Sequence, residues 1–550
     1  MFIRFLTMRV CLPVVRACTP VPLLRCLALA VIGSWIPLLA SDYLTEGNDS
    51  GRTAWMKDEK VFTPANVKDI KLLWKVKLDS QPREMHNLFS PLIAERVTTA
   101  RGPREIAIVA GISDDLFGID VASGELLWKK RYESTFAPTD RTVYHTLCLG
   151  GQTAVPAMEQ VSPGKYTIYA IGWDGRLHQI NAADGSDIAP LDKFLPPNGK
   201  PYALNVNKGV VYTATAQGCG GIPNALYSYH LATRRASTFQ PAGGGMWGRR
   251  GAAISPEGVV YMVTGDAMFN PQTKTLGNAI VGARLDDNQQ LQLVDYFAPR
   301  NANWMRARDL DMNVTPMAFD YRGRKFLVGT SKECRVWLLD RDALGGEDHR
   351  TTLHTTPLLC NDDQAFDAKG VWGAMAAWQD SRGVQWVLVP FWGPVSRSFR
   401  APIEYGRPKM GGVAAYKLEE TTPGQWRLNP AWLSRDIDMA EEVVVANGVV
   451  FAYGSGEDTT QTLPDIAWNE PGGPWVGGGL NPYSERRILS SRHATLYALD
   501  GQTGKELWSS GNQITSWNHW SGLTVANGRA YLGTFDGTLY SFGIPAAARQ

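Results

Sequence analysis

Most of the side chains that could do chemistry in this chain of 550 residues lack the spacing that chemistry demands. Its histidines, His86, His145, His178, His230, His349, His354, His493 and His519, show no H-E-x-x-H or comparable ligand spacing. The cysteines include no C-x-x-C, which leaves a zinc cluster unsupported, and no C-x-x-C-H, which excludes a covalently attached c-type haem. No G-x-S-x-G elbow, phosphate loop or dinucleotide fingerprint stands out. One stretch is different. Residues 304–313 read W-M-R-A-R-D-L-D-M-N and set Asp309 and Asp311 two apart. On an extended strand that spacing turns both carboxylates to one side. The competing reading is an exposed turn in which Arg306 and Arg308 pair with them.

Such residues need elements to hold them, and here those elements repeat. Residues 498–508 read A-L-D-G-Q-T-G-K-E-L-W, a hairpin in which Asp bonds back onto the turn and Gly accepts its positive φ. Residues 118–128 (G-I-D-V-A-S-G-E-L-L-W) repeat Asp, Gly and Trp at the same offsets, and looser copies lie at 179–185, 228–233 and 338–346. Strand-rich units follow at 106–132, 166–194, 205–239, 253–297, 313–357, 370–435, 441–514 and 520–542. The sixth carries an insertion at 393–410 and the seventh a Gly/Pro-rich excursion at 462–487. The last unit is one strand short, while a lone strand at 72–78 follows an irregular arm. Pairing the two would remove both exposed edges. The expected fold is all-β: an eight-bladed β-propeller closed by an N-terminal strand pairing with the last blade. A non-closing β-solenoid suits these long, irregular units less well.

Composition agrees with such a fold and narrows the function. The chain is 44% hydrophobic and 20% charged, with 55 Gly and 19 Trp to fill turns and inter-sheet spaces. A net charge of +2 with no long basic run after the leader argues against nucleic-acid binding. Arg4, Arg9, Arg16 and Arg25 precede an apolar run at 27–40. Residues 1–40 therefore read as an export signal cleaved after Ala40, with an uncleaved anchor as the alternative. Residues 41–550 form one domain, expected in the periplasm or secreted. Cys11, Cys18 and Cys26 leave with the leader. Cys148, Cys219, Cys334 and Cys360 remain in an oxidising compartment, with three pairings possible.

Over residues 42–545 the chain resembles the PQQ-dependent quinoprotein alcohol dehydrogenases, of which methanol dehydrogenase is one. The resemblance rests on the opening Asp42-Tyr43-Leu44-Thr45 with Pro64-Ala65-Asn66-Val67, the A-x-D-x-x-T-G-x-x-x-W hairpins, and the closing W-S-G-L-T-V-A-N-G-R-A-Y-L-G-T-F-D-G-T-L-Y at 520–540. It implies pyrroloquinoline quinone at the centre of the blades beside a Ca²⁺ or lanthanide ion. Residues 243–248 (G-G-G-M-W-G) resemble the segment that stacks on the quinone, which assigns Trp247 to it; a flat indole suits a flat ring. Trp520, which opens the last-blade segment, and Cys148, near the place of the family's vicinal cysteine ring, are also assigned to the cofactor. Asp266 stands where the family has a metal-binding Asn, and keeps an oxygen donor. Asp309 matches the catalytic base, and Asp311 the extra carboxylate of the lanthanide-using branch. Lys332, in T-S-K-E-C-R, matches the cation beside the quinone oxygens.

Two departures cut against this. Where the family places a metal-binding Glu, Cys219 stands, and a thiol suits a hard cation poorly. The vicinal cysteine pair is missing, with Cys148-Leu149 in its place. Cys148 and Cys219 are expected to meet near the axis as a disulfide, or as a soft-metal site with Met246 or His145. Two functions stay open. One is a periplasmic PQQ-dependent oxidoreductase of alcohols or sugars, which passes electrons to a separate soluble cytochrome or quinone. The other is a propeller without redox activity, acting as a periplasmic binding or scaffolding module.

Overall fold

The computed structural model describes residues 41–132, 148, 150–241, 244–365, 369–459 and 487–545. The expected export signal at 1–40, His145, and the excursion at 462–487 apart from Arg487 lie outside them. The described chain is an eight-bladed propeller whose sheets succeed one another along the sequence. Its blades span 92–131, 157–193, 205–239, 245–297, 317–355, 376–433, 440–509 and 524–543. Lys71–Lys77 pairs antiparallel with Thr538–Gly543 and supplies the fourth strand of the eighth blade. The strands follow the radial gradient of a propeller: Asp115–Asp120 is buried throughout, whereas the peripheral Leu126–Arg131 exposes Leu126, Lys129 and Arg131.

Three blades begin earlier than their sequence suggests, the fourth with Gly245–Trp247 and the first two by a longer strand. Leu92–Thr99 and Ala157–Ser162 are the innermost strands of the first and second blades. Each carries a register shift, between Ala94 and Val97 and between Gln160 and Ser162, which breaks the period-2 pattern that would reveal it.

The repeated hairpin joins neighbouring blades. Trp74 of the closing strand donates its Nε1–H to the Val121 carbonyl of the first blade at 2.9 Å. Trp128 does the same to Ala182 of the second at 3.1 Å, and Trp432 of the sixth to Gly501 of the seventh at 3.0 Å. Beneath two of these indoles lie Gly124 and Gly504, both at positive φ; a Cβ on Gly124 would stand 2.8 Å from the Trp74 ring. The Asp of each hairpin stabilises its own turn: Asp120 accepts from the Ser123 N–H at 2.9 Å, and Asp500 from that of Thr503 at 2.8 Å.

The N-terminal arm is no loose tail. It runs past the inner strands of the blades in order. Tyr43 and Ile93 exchange backbone hydrogen bonds in the first blade, and Leu44 accepts from Met158 in the second. The Thr45 hydroxyl bonds the Leu204 carbonyl at the entrance to the third. Ser50 then accepts from Ile254, Gly51 from Ala318, Thr53 from Ala377 and Ala54 from Val445. Glu59 completes the circuit by accepting the Gly528 N–H of the eighth blade at 2.9 Å. Arg52, fully buried, donates to the carbonyls of Leu204 and Ala252.

Trp432 has no exposed surface. Trp432→Ala removes a buried indole and its bond to the next blade, and is expected to cost about 3–5 kcal/mol by chemical denaturation. A cost under about 1 kcal/mol would show that the docking is ornamental.

Candidate functional site

The end of each second strand and the entrance to each inner strand fall at the same end of the ring, and the site is built there from two blades. Asp266 follows Val260–Gly265 of the fourth blade. Asp309 and Asp311 lie on the segment between the short helix Ala302–Arg306 and the fifth blade's inner strand, Met317–Tyr321. Lys332 follows that blade's second strand, Arg324–Thr330. Oxygens of the three carboxylates lie within 4.8 Å of one another. The Lys332 ammonium is 2.8 Å from Asp309 Oδ1 and 3.3 Å from Asp311 Oδ2. The Asp266 N–H donates to Asp311 Oδ1 at 3.1 Å.

This convergence does not use the strand alternation expected from the sequence. Residues 309–311 are outside any strand, and Asp309 has φ +54°. Asp266, at φ +60°, is also left-handed. Non-glycine residues there carry strain on the order of 1 kcal/mol or more, and such strain concentrates at functional sites. Nor do the aspartates make an exposed Arg–Asp turn. Arg308 lies 4.9 Å over the Trp304 ring and donates to the Gln364 carbonyl, leaving Lys332 as the partner of both carboxylates. Lys332 is buried and also lies 4.8 Å over the ring of Trp372.

Three carboxylates against one ammonium cannot all ionise cheaply. Burial favours the neutral acid in each. At Asp311 the Lys332 charge and hydrogen bonds from Asp309 and Asp266 outweigh burial and hold the carboxyl below its ordinary range. Burial pushes Asp309 up against the pull of Lys332, and pushes Asp266 up with Asp311 adding to it. Solvent still reaches this wall, for the Asp309 side chain is 40% exposed. The cluster therefore holds protons where a further cation could sit. Three hard oxygen donors fit a Ca²⁺ or lanthanide ion.

Trp247 belongs to the same wall. A Cβ on Gly265 would come within 2.9 Å of both its Nε1 and the Asp311 Cβ, so indole and carboxylate flank that backbone. Its Nε1 is buried without a hydrogen-bond partner among the described residues, and its ring lies 6.4 Å from that of Tyr202. Trp520, at φ +47°, stacks on His519 at 4.7 Å and on Trp372 at 6.1 Å, linking the wall to the far side of the axis.

Cys148 and Cys219 form a disulfide, with Cα atoms 5.4 Å apart, and Cys334 pairs with Cys360. Cys219 as a metal ligand is thereby corrected: a disulfide sulfur has no thiolate to offer. The soft-metal arrangement falls with it, since Met246 is buried among apolar side chains. Cys148, assigned to the cofactor by resemblance, is the other half of this bond. The disulfide loop reaches the axis by way of Gln217, which accepts from Lys200 at 2.9 Å.

A second group had no sequence signal. His519 Nδ1 lies 2.7 Å from Glu457, which also pairs with Arg487, and the Tyr453 hydroxyl bonds Glu441 at 2.5 Å. Glu441, Glu457 and His519 are buried and could together hold a cation, although Arg487 already supplies one charge. His519 stands 62 residues from Glu457, and no motif spans that gap.

A family model described as outer membrane protein assembly factor BamB (PQQ_2) matches residues 446–545. No curated protein matches the chain. Among solved structures, the quinohemoprotein alcohol dehydrogenase of Comamonas testosteroni is 14% identical, with a TM-score of 0.54, 92% of this chain covered and 80% of that one. Quinohemoprotein alcohol dehydrogenase ADHIIG from Pseudomonas putida HK5 is 13% identical, with a TM-score of 0.55 and the same coverage. A europium-containing methanol dehydrogenase is 12% identical, with a TM-score of 0.56, 91% of this chain covered and 98% of that one. The likeness to PQQ-type propellers read from the sequence thus holds at the level of the fold.

The raised carboxyls make a signed prediction. The folded cluster keeps protons that the unfolded chain has released, so its contribution to stability is present at acid pH and lost as pH rises through the raised pKa values. Without metal, melting temperature should fall between about pH 5 and about pH 8.5, and fall less in Asp309→Asn. La³⁺ binding should release about one to two protons near pH 6 and fewer near pH 9, measured by calorimetry in buffers of different ionisation enthalpy. Binding without proton release would mean that the ion sits elsewhere.

Proposed function

We propose that the protein is an exported dehydrogenase of alcohols or sugars that uses pyrroloquinoline quinone with a hard cation, and hands its electrons to a separate soluble cytochrome or quinone. The observation that carries this reading is the convergence of Asp266, Asp309, Asp311 and Lys332 beside Trp247 at one end of a propeller of the quinoprotein type. When bound, the quinone supplies a two-electron acceptor for hydride and the cation supplies positive charge to the carboxylates. Asp266, Asp309 and Asp311 would hold that cation. Solvent reaches both Asp266 and Asp309; Asp309, held against Lys332, is the one that as a base would take the hydroxyl proton while the carbon gives up its hydride. Asp311, kept ionised, anchors the Lys332 ammonium, which stands ready to stabilise negative charge on an adjacent oxygen. The orphaned Trp247 Nε1 is a donor still awaiting an acceptor.

A second reading has its own support. The sequence match over the last blades is to the assembly-factor model, and Cys219 stands where a metal-binding carboxylate is expected. On that reading the ring is a binding or scaffolding module and the carboxylates are structural.

Reconstitution separates the two. The purified protein, incubated with quinone and either Ca²⁺ or La³⁺ and then desalted, should retain quinone absorbance and oxidise alcohols in a dye-linked assay. Asp309→Asn should retain the quinone and lose on the order of 10²- to 10⁴-fold in turnover. Failure to retain quinone with either metal would favour the scaffold.

A further inference from the structure

Beside the carboxylate wall, the axis holds a cavity of opposite character. Its lining includes His86, Thr153, Lys200, Tyr202, Arg249 and Trp520, and none of its lining residues is acidic. Lys200 is 6% exposed, and its one hydrogen-bond acceptor among the described residues is the neutral amide oxygen of Gln217. A buried ammonium without a counter-ion is costly, and proteins seldom keep one without use. Burial alone brings its pKa down to about 8, with no carboxylate acting in the other direction.

Three more groups around this cavity each keep one polar atom without a partner among the described residues. Tyr202 is 6% exposed and His86 7%, and among the described residues the Tyr202 hydroxyl and the His86 Nδ1 bond nothing. Arg249 spends Nη1 on Glu46 of the arm and on Glu442, both at 2.9 Å, while its Nη2 is buried and unpartnered. Buried polar atoms are almost always hydrogen-bonded, so four incomplete groups around one space call for a common ligand. One of the four, Lys200, is a cation with no carboxylate beside it, so that ligand is an anion. The ring of Trp520 on the same lining favours a flat one.

We propose that this cavity binds the carboxylates of a planar organic acid, with Lys200 and Arg249 Nη2 as its cations and the Tyr202 hydroxyl as a neutral donor. The inference rests on the function proposed above only for the ligand's identity, since the quinone is itself a polycarboxylate. Lys200 is then the residue on which affinity depends, because it is the cation with no protein carboxylate to satisfy it.

Calorimetric titration of the full chain with two probes, benzenetricarboxylate and pyrroloquinoline quinone, tests this without recourse to turnover. Wild type should bind both. Lys200→Met should weaken both by roughly 10- to 100-fold, the value of a charge-assisted hydrogen bond, and Lys200→Arg should stay within a few-fold of wild type. Without ligand, Lys200→Met should melt no lower than wild type, because it removes an uncompensated buried charge; a lower melt would refute that premise. Benzenetricarboxylate binding that depends on Lys200, with no binding of the quinone, would support the anion site and sink the quinone reading. Quinone binding unaffected by Lys200→Met would overturn this inference and leave the quinone reading standing. Binding of neither probe to wild type would also overturn it.

Discussion

A twisted sheet that is not closed ends in two unpaired edges, and everything described here depends on this ring having no such ends. The pairing of Lys71–Lys77 with Thr538–Gly543 joins the two ends of the described chain in one blade. The same strand carries Trp74, which docks on the first blade as Trp128 and Trp432 dock on theirs. Closure and docking together fix the distance between neighbouring inner strands. Only on such a frame can Asp266 from one blade and Asp311 and Lys332 from the next stay within hydrogen-bond reach while two backbones are held in left-handed conformations.

Charge across the axis is divided. On one side three carboxylates share the single ammonium of Lys332; on the other, Lys200 and part of Arg249 face a cavity without an acid. Between them stand Tyr202, Trp247, Trp372 and Trp520. Each half is incomplete by itself: the carboxylates outnumber their one ammonium, and Lys200 has no carboxylate. A flat ligand bearing carboxylates, together with a cation, would complete both, and that complementarity links the proposed function to the further site.

How much of this the sequence disclosed follows from the physical content of each signal. The hairpin was legible because each of its residues does a local job: Asp120 and Asp500 bond their own turns, and Gly124 and Gly504 leave room for an indole. Closure was legible from the missing last strand. Asp309, Asp311 and Lys332 were found through resemblance, and the geometry unites them, although through a turn rather than a strand. The inner strands Leu92–Thr99 and Ala157–Ser162 were missed because a bulge interrupts their alternation. Lys200, Arg249 and His86 carried no signal at all: single residues on segments far apart in sequence, given meaning by a shared cavity. Of the two arrangements offered for Cys148 and Cys219 the disulfide holds; the metal-ligand reading of Cys219 failed because a residue type says nothing of whether its sulfur is already bonded.

The arm that visits every blade bears on how such a chain is made. Ribosomes deliver the N-terminus first, yet Glu59 finds its partner Gly528 only after 469 further residues have been added. Until then this segment, with its buried Arg52, has only a growing crescent to bind and no enclosed lumen. Vectorial synthesis thus runs against the order in which the interior can be sealed, and contacts so distant in sequence make for slow maturation with apolar strands long uncovered. A holding chaperone would have most to do in the interval before the final blade arrives.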